Sequence, residues 1–135
     1  MSSRPTSIRL FGALMLAQGL TALATVPLTY AQEPGSLPMV LMAMYAVGYY
    51  LCFWYMIARR ANAIALWFYL GLSLLDLPMT IVFWEEYAAL GTLHLVLSLG
   101  NLALEMASMA LLLCTDALAW VRARGQFPDH RDIFS

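Results

Sequence analysis

The sequence predicts an all-α membrane protein: four transmembrane helices in an up-down-up-down bundle, with the N-terminus and C-terminus both cytoplasmic. Three observations carry that expectation. The 135 residues are 62% hydrophobic and only 11% charged, with a mean hydropathy of +0.74, far from the composition of a soluble domain. The apolar residues gather into four runs, each long enough for the roughly 20 helical residues that cross a bilayer. All seven basic residues are arginines, at Arg4, Arg9, Arg59, Arg60, Arg122, Arg124 and Arg131, always between or beyond those runs. Basic loops stay cytoplasmic, so both termini and the middle loop share one side. The two opposite loops carry Glu33, Glu85 and Glu86 and no cation. Four crossings satisfy every charge, whereas an odd number does not.

Span 1 is expected over residues 8–30. Thr29-Tyr30-Ala31 loosely resembles a signal-peptide cleavage site, but the run from Leu10 to Leu28 is too long for a typical h-region, so it is read as a retained span. Pro27 lies near its end, where few helical hydrogen bonds remain to be lost. Gln32 to Ser36 reads as a turn. Span 2 covers residues 37–57 and stops at Arg59-Arg60. Span 3 covers residues 62–84 and contains Asp76 and Pro78. Span 4 covers residues 90–120 as one helix, longer than a bilayer needs, so it should tilt or project into the cytoplasm. The bundle therefore occupies residues 1–124, followed by a polar cytoplasmic tail over 125–135. Trp54, Tyr55, Trp67 and Trp120 fall near the cytoplasmic ends and Tyr30, Trp84 and Tyr87 near the outer ends, as interfacial aromatics do. Short connections make consecutive spans antiparallel neighbours.

Several chemistries are disfavoured. Cys52 and Cys114 stand alone without a Cys-x-x-Cys pair, which argues against a thiol relay and makes them packing residues. Only His94 is intramembrane, His130 being in the tail, so bis-histidine haem and structural zinc lack ligands. The nine methionines share no consistent face and read as gap-fillers rather than a soft-metal site. No cofactor, no metal and no nucleic acid partner is expected, since seven scattered arginines are what orientation alone requires.

Span 4 carries two opposed stripes. His94, Ser98, Asn101, Glu105 and Ser108 recur at steps of four and three, placing them on one face. Gly100, Ala103, Ala107, Ala110, Cys114 and Ala117 form a small-residue seam on nearly the opposite face. Such a seam lets another helix approach closely, while a glutamate turned to lipid costs on the order of 3 kcal/mol. One face should meet the chain's own spans, and the other a second copy or a different membrane protein; the sequence leaves open which is which.

The remaining spans supply partial matches to the polar face: Tyr69, Ser73, Asp76 and Thr80 on span 3, Tyr45, Tyr49 and Cys52 on span 2, Gln18, Thr21 and Thr25 on span 1. At a rise of about 1.5 Å per residue, Asp76 falls level with Ser98, within a turn of His94 and Asn101. Glu105 falls level with Tyr69 and Tyr49, about two turns nearer the cytoplasm. Apart from Arg9 at the very start of span 1, the spans contain no lysine or arginine, so each acid must be protonated, hydrogen-bonded, hydrated or paired with something external. An acid that can change charge state can carry a proton, hold a cation or act as a general acid, and His94 is placed to share a proton with Asp76. A structural role is the alternative: a neutral acid fixing helix register, which for Asp76 includes accommodating the backbone carbonyl of Leu74 that Pro78 frees.

Trp84-Glu85-Glu86-Tyr87-Ala88 followed by Glu105-Met106 resembles a stretch of the emopamil-binding sterol isomerases, which implies a membrane bundle around a pocket for sterols and cationic amphiphiles. The likeness covers about one sixth of the chain, and the family's basic and acidic positions between Tyr87 and Glu105 are absent. Small multidrug exporters place their glutamate in the first span, where this chain has Gln18, and the polar loop signatures of four-span fluoride channels are missing. The sequence is therefore assigned to no family.

The function expected is a small integral membrane protein, in a bacterial inner membrane, that binds a small amphiphile or cation in a polar pocket with scope for proton coupling. The expected ligand-binding residues are Asp76, His94, Asn101, Glu105, Gln18, Tyr45, Tyr49, Tyr69, Ser73 and Ser98, with no catalytic residue assigned. The expected partners are membrane lipid, the ligand itself, and either a homo-oligomer or a membrane-protein partner. The alternative is an accessory or immunity-type subunit that binds another membrane protein through span 4. A membrane enzyme acting on a lipid-like substrate ranks third.

Overall fold

The computed structural model describes residues 4–32, 37–89 and 91–123. Of the turn expected at 32–36, Gln32 ends α1 and the rest lies outside the described residues, as do the tail at 125–135 and the side chains of Tyr30 and Tyr87. Among the described residues the chain is all-helical: α1 (Thr6–Gln32), α2 (Leu37–Phe53) continuing into a π-helical turn (Trp54–Arg59), α3 (Ala63–Val82), α4 (Trp84–Ala89), α5 (Thr92–Leu112) and α6 (Thr115–Arg122). Three of these segments, Thr6–Leu28, Ala63–Val82 and Thr92–Leu112, are long and apolar enough to cross a membrane. A helix suits that setting because every interior N–H and C=O bonds within the segment.

The helices pair through close contacts that run in opposite directions. A Cβ on Gly12 would lie 3.3 Å from Trp54 Nε1, and one on Gly19 3.8 Å from Tyr50 Cβ, so α1 descends along α2 as α2 rises. Gln18 Nε2 donates to Ser108 Oγ at 2.8 Å and Ser7 Oγ to Asp116 Oδ2 at 2.7 Å, which sets α1 against α5 and α6 in the same reversed sense. Tyr69 of α3 meets Phe11 of α1 edge-on, with ring centroids 5.7 Å apart.

The turn between α2 and α3 is built from wide hydrogen bonds, Arg60 N–H to the Tyr55 carbonyl and Asn62 N–H to the Met56 carbonyl. It ends at Ala61, which adopts φ +49°. Asn62 then starts α3, its Oδ1 accepting the Ala65 N–H at 3.1 Å, the reciprocal role that makes asparagine a favoured N-cap.

The packed core occupies the arginine-bearing end: Ile8, Phe11, Met15, Ile57, Leu66, Tyr69, Leu112, Ala117, Trp120 and Val121 are all buried. Toward the other end, polar side chains and cavities replace it. The outward faces remain strongly apolar, with Leu20, Ile64, Trp67, Leu74, Leu75, Ile81 and Val82 exposed, as a lipid-facing surface requires.

Three expectations need correction. The helix expected to run unbroken over 90–120 stops at Leu112 and restarts at Thr115, with Cys114 extended (φ −61°, ψ 144°) between them. Asp116 explains the break: an acid is favoured in the first turn of a helix, and here its carboxyl accepts from Ser7 and from the Ala117 N–H. Trp120 was expected at the membrane surface but is buried beneath α6. Cys52 and Cys114, expected to be packing residues, are both exposed: the interior arc of α2 centres on Tyr49, Tyr50 and Phe53, and Cys114 follows the exposed seam of Gly100, Ala103, Ala107 and Ala110.

Candidate functional site

The polar stripe of span 4 points inward. On α5, His94, Glu105 and Ser108 are buried and Ser98 and Asn101 half-buried, whereas Gly100, Ala103, Ala107, Ala110 and Cys114 are exposed; only Ala117, beyond the break, is buried. Burial of the polar face follows from the cost of turning it to hydrocarbon.

Two cavities meet at Asp76. The first, about 250 Å³, lies between α2, α3 and α5 and is lined by Tyr45, Ala46, Tyr49, Tyr50, Leu72, Asp76 and Glu105. The second, about 240 Å³, lies between α1, α3 and α5, with Thr21, Thr25, Thr80, His94, Ser98 and Asn101 among its walls. Asp76 thus stands level with Ser98 and Asn101, as counted from the sequence, but it also shares a cavity with Glu105, which the same count set two turns away.

Aromatic rings close the first cavity on the arginine-bearing side. Tyr49 packs on Phe53 (centroids 4.8 Å apart) and Tyr50 (5.2 Å), and Phe53 on Tyr69 (5.4 Å) and Phe68 (6.4 Å). Tyr45, by contrast, is 72% exposed, leaving the opposite wall open toward the outer surface of the bundle.

Behind the cavities lies a set of buried polar groups that satisfy one another only in part. Asn101 Nδ2 donates to Tyr50 OH at 2.9 Å. Gln18 Nε2 donates to Ser108 Oγ, which in turn donates to the Leu104 carbonyl at 2.8 Å. Ser98 Oγ and His94 Nδ1 are 3.4 Å apart. Gln18 Oε1, Tyr69 OH, Ser73 Oγ and Asn101 Oδ1 are buried with no hydrogen-bond partner among the described residues. Ser73 lies near Tyr49, Tyr69 and Glu105, close enough for electrostatic interaction with each, yet its hydroxyl completes no well-formed bond. Buried donors and acceptors left open in this way are costly and call for water or a ligand.

All ten expected ligand-binding residues fall in or beside this interior. Tyr45, Tyr49, Asp76 and Glu105 line the first cavity, Asp76, His94, Ser98 and Asn101 the second, and Gln18, Tyr69 and Ser73 are buried between elements. Sequence reasoning missed Tyr50 and left Ser108 out of the ligand set. The adjacent pair Tyr49-Tyr50 was the available signal, since two neighbouring polar aromatics in a span widen its interior arc. Among the described residues no group of three His, Cys, Asp or Glu side chains is placed to hold a metal ion.

Fold and site together define an all-helical protein, compatible with membrane insertion, that encloses a polar and acidic interior. Comparison with known proteins finds no matching family model, no matching curated protein and no matching solved structure.

Proposed function

We propose that this chain is a four-span integral membrane protein of a bacterial inner membrane, both termini cytoplasmic, that binds a small cationic amphiphile between α2, α3 and α5. The observation that carries the reading is that Asp76 and Glu105 face one cavity walled by three tyrosines, while among the described residues the one basic residue within a candidate span, Arg9, sits in the first turn of α1 and does not line that cavity. A positive ligand brings the charge that the interior lacks. An ammonium group between two carboxyls makes charge-assisted hydrogen bonds, and tyrosine faces attract the same cation. The cavity is small for a whole drug-sized molecule, so it suits the head of an amphiphile, with the apolar tail leaving past exposed Tyr45 into lipid. The unbroken passage of α2 through its π-helical turn to Arg59 supports the fourth crossing. A proton held between the two carboxyls is released when the cation arrives, which couples binding to protonation.

The test is equilibrium binding of a radiolabelled lipophilic tertiary amine to the protein in nanodiscs. Glu105→Gln is expected to weaken binding at least about tenfold, roughly 1.4 kcal/mol, with the protein still monodisperse. Unchanged affinity in that variant overturns the reading.

A second reading has its own observation in favour. The outward position of Gly100, Ala103, Ala107, Ala110 and Cys114 leaves a small-residue face for a further helix. If the protein is an accessory subunit, Ala107→Leu separates it from a co-purifying membrane protein while leaving amine binding intact.

A further inference from the structure

A third cavity, of about 380 Å³, lies at the arginine-bearing end, far from the acidic interior. Arg60, Ala61, Asn62, Ala63, Ile64, Val121 and Arg122 line it, so it sits where the α2–α3 turn, the start of α3 and the end of α6 converge. None of these lining residues is acidic. From this arrangement we infer that the cavity is a binding site for the phosphate headgroup of an anionic phospholipid.

Several features make the site more than a surface charge. Arg60 is held in place: its Nε donates to Tyr55 OH at 2.9 Å, and its guanidinium lies 5.4 Å from the centre of the Tyr55 ring. The terminal nitrogens remain as a fork suited to phosphate. Arg122 approaches from α6, which is fixed against the bundle by buried Ala117, Trp120 and Val121. The N-terminus of the 20-residue α3 opens into the same space. Asn62 satisfies the Ala65 N–H with its side chain and the Leu66 N–H with its carbonyl. The N–H groups of Ala63 and Ile64 belong to the first turn, which has no intrahelical acceptors for them, and both residues line the cavity. Two cations and the positive end of a helix therefore converge on one volume.

The position selects a lipid over a soluble anion. Ile64 on the rim is 81% exposed, and Trp67, one turn further along α3, is exposed as well. Both leave apolar surface exposed on the helix that starts at the basic cavity, as contact with acyl chains requires. Basic pockets at the cytoplasmic ends of membrane helices match the anionic lipids of that leaflet.

The experiment is native mass spectrometry of the full chain after titration with phosphatidylglycerol, phosphatidylcholine or inorganic phosphate. One phosphatidylglycerol is expected to be retained in preference to phosphatidylcholine, and an equimolar amount of inorganic phosphate should not displace it. Arg60→Gln and Arg122→Gln should each reduce retention at least about tenfold. Arg59→Gln removes the same charge from the same end, but Arg59 stacks on Trp54 at 5.2 Å and does not line the cavity, so its retention should stay within about twofold of the native chain. Ile64→Glu guards against misfolding: an acid in the first turn favours the helix while repelling the headgroup, so retention should fall with thermal stability maintained. Equal losses in all three arginine variants, displacement by inorganic phosphate, or full retention in Ile64→Glu overturns the inference.

Discussion

Asp76 and Glu105 reach the same cavity from helices that run in opposite directions. Side chains on a helix lean toward its N-terminus. α3 begins at the arginine-bearing end and α5 at the other, so the carboxyl of Asp76 leans toward the arginine-bearing end and that of Glu105 away from it. The two acids thereby close most of a separation that their backbone positions suggest is about two turns. Glu105 is almost fully buried, whereas Asp76 is exposed along the seam between the two cavities.

Protons and a cationic ligand compete for Glu105, so amine binding should strengthen as pH rises through the neutral range. The other titratable groups around the pair are Tyr45, Tyr49 and Tyr50 from α2, Tyr69 from α3 and His94 from α5; α1 offers Gln18, Thr21 and Thr25, which do not titrate. Binding isotherms across this range should show the rise in the native chain and a flatter profile in Glu105→Gln. Affinity that falls with pH while the amine remains charged would contradict the pairing.

Much of this arrangement was legible in the sequence, and the parts that were not have definite causes. Arginine placement and hydropathy located the helices to within a few residues, because hydrocarbon tolerates neither charge nor open backbone. Periodicity grouped His94, Ser98, Asn101, Glu105 and Ser108 on one face of span 4, but it did not decide which face turns inward, because the opposite small-residue seam is equally suited to helix packing. The convergence of Asp76 and Glu105 was missed because depth was counted along Cα positions, without the lean of the side chains. The break at Cys114 was missed because apolar periodicity runs across it; Thr115-Asp116, a helix-start signal, was the mark to weigh. The cavity at Arg60 and Arg122 depends on α6 restarting after the break at Cys114 and packing against the bundle through Ala117, Trp120 and Val121.

The Asn101–Tyr50 hydrogen bond offers a test of the buried network. Tyr50→Phe removes the acceptor for Asn101 Nδ2, and Asn101 Oδ1 already has no partner, so the amide is left wholly unsatisfied. A loss of about 1–3 kcal/mol is expected, read as a lower thermal midpoint in detergent. Tyr50→Phe combined with Asn101→Leu removes both polar partners and should be no less stable than Tyr50→Phe alone. A double variant whose loss equals the sum of the single losses would indicate that the two side chains are energetically independent.

Gly12 and Gly100 make a matched pair of opposite environment. A Cβ on Gly12 presses on Trp54 Nε1 at 3.3 Å, while one on Gly100 meets nothing within 4 Å. Gly12→Leu should force α1 away from the π-helical turn and cost about 1–3 kcal/mol or more. Gly100→Leu should leave thermal stability of the monomer unchanged. Equal effects at the two positions would mean that α1 and α2 pack less closely than these contacts require.

Ala61 tests the turn that shapes the basic cavity. Its φ of +49° is left-handed, a conformation that costs an L-residue roughly 1–2 kcal/mol, and its side chain is only 4% exposed. Ala61→Gly relieves the backbone but gives up a buried methyl group, worth about 0.8 kcal/mol, so stability should stay within about 1 kcal/mol of the native chain. Ala61→Val adds a β-branched side chain where neither the backbone nor the packing accepts it, and should lower stability by about 2 kcal/mol or more. Both are read from thermal unfolding in detergent. Because Ala61 and Asn62 wall the cavity beside Arg60, Ala61→Val should also weaken phosphatidylglycerol retention, whereas Ala61→Gly should preserve it. A valine variant as stable as the native chain would show that the turn relaxes out of the left-handed conformation without cost.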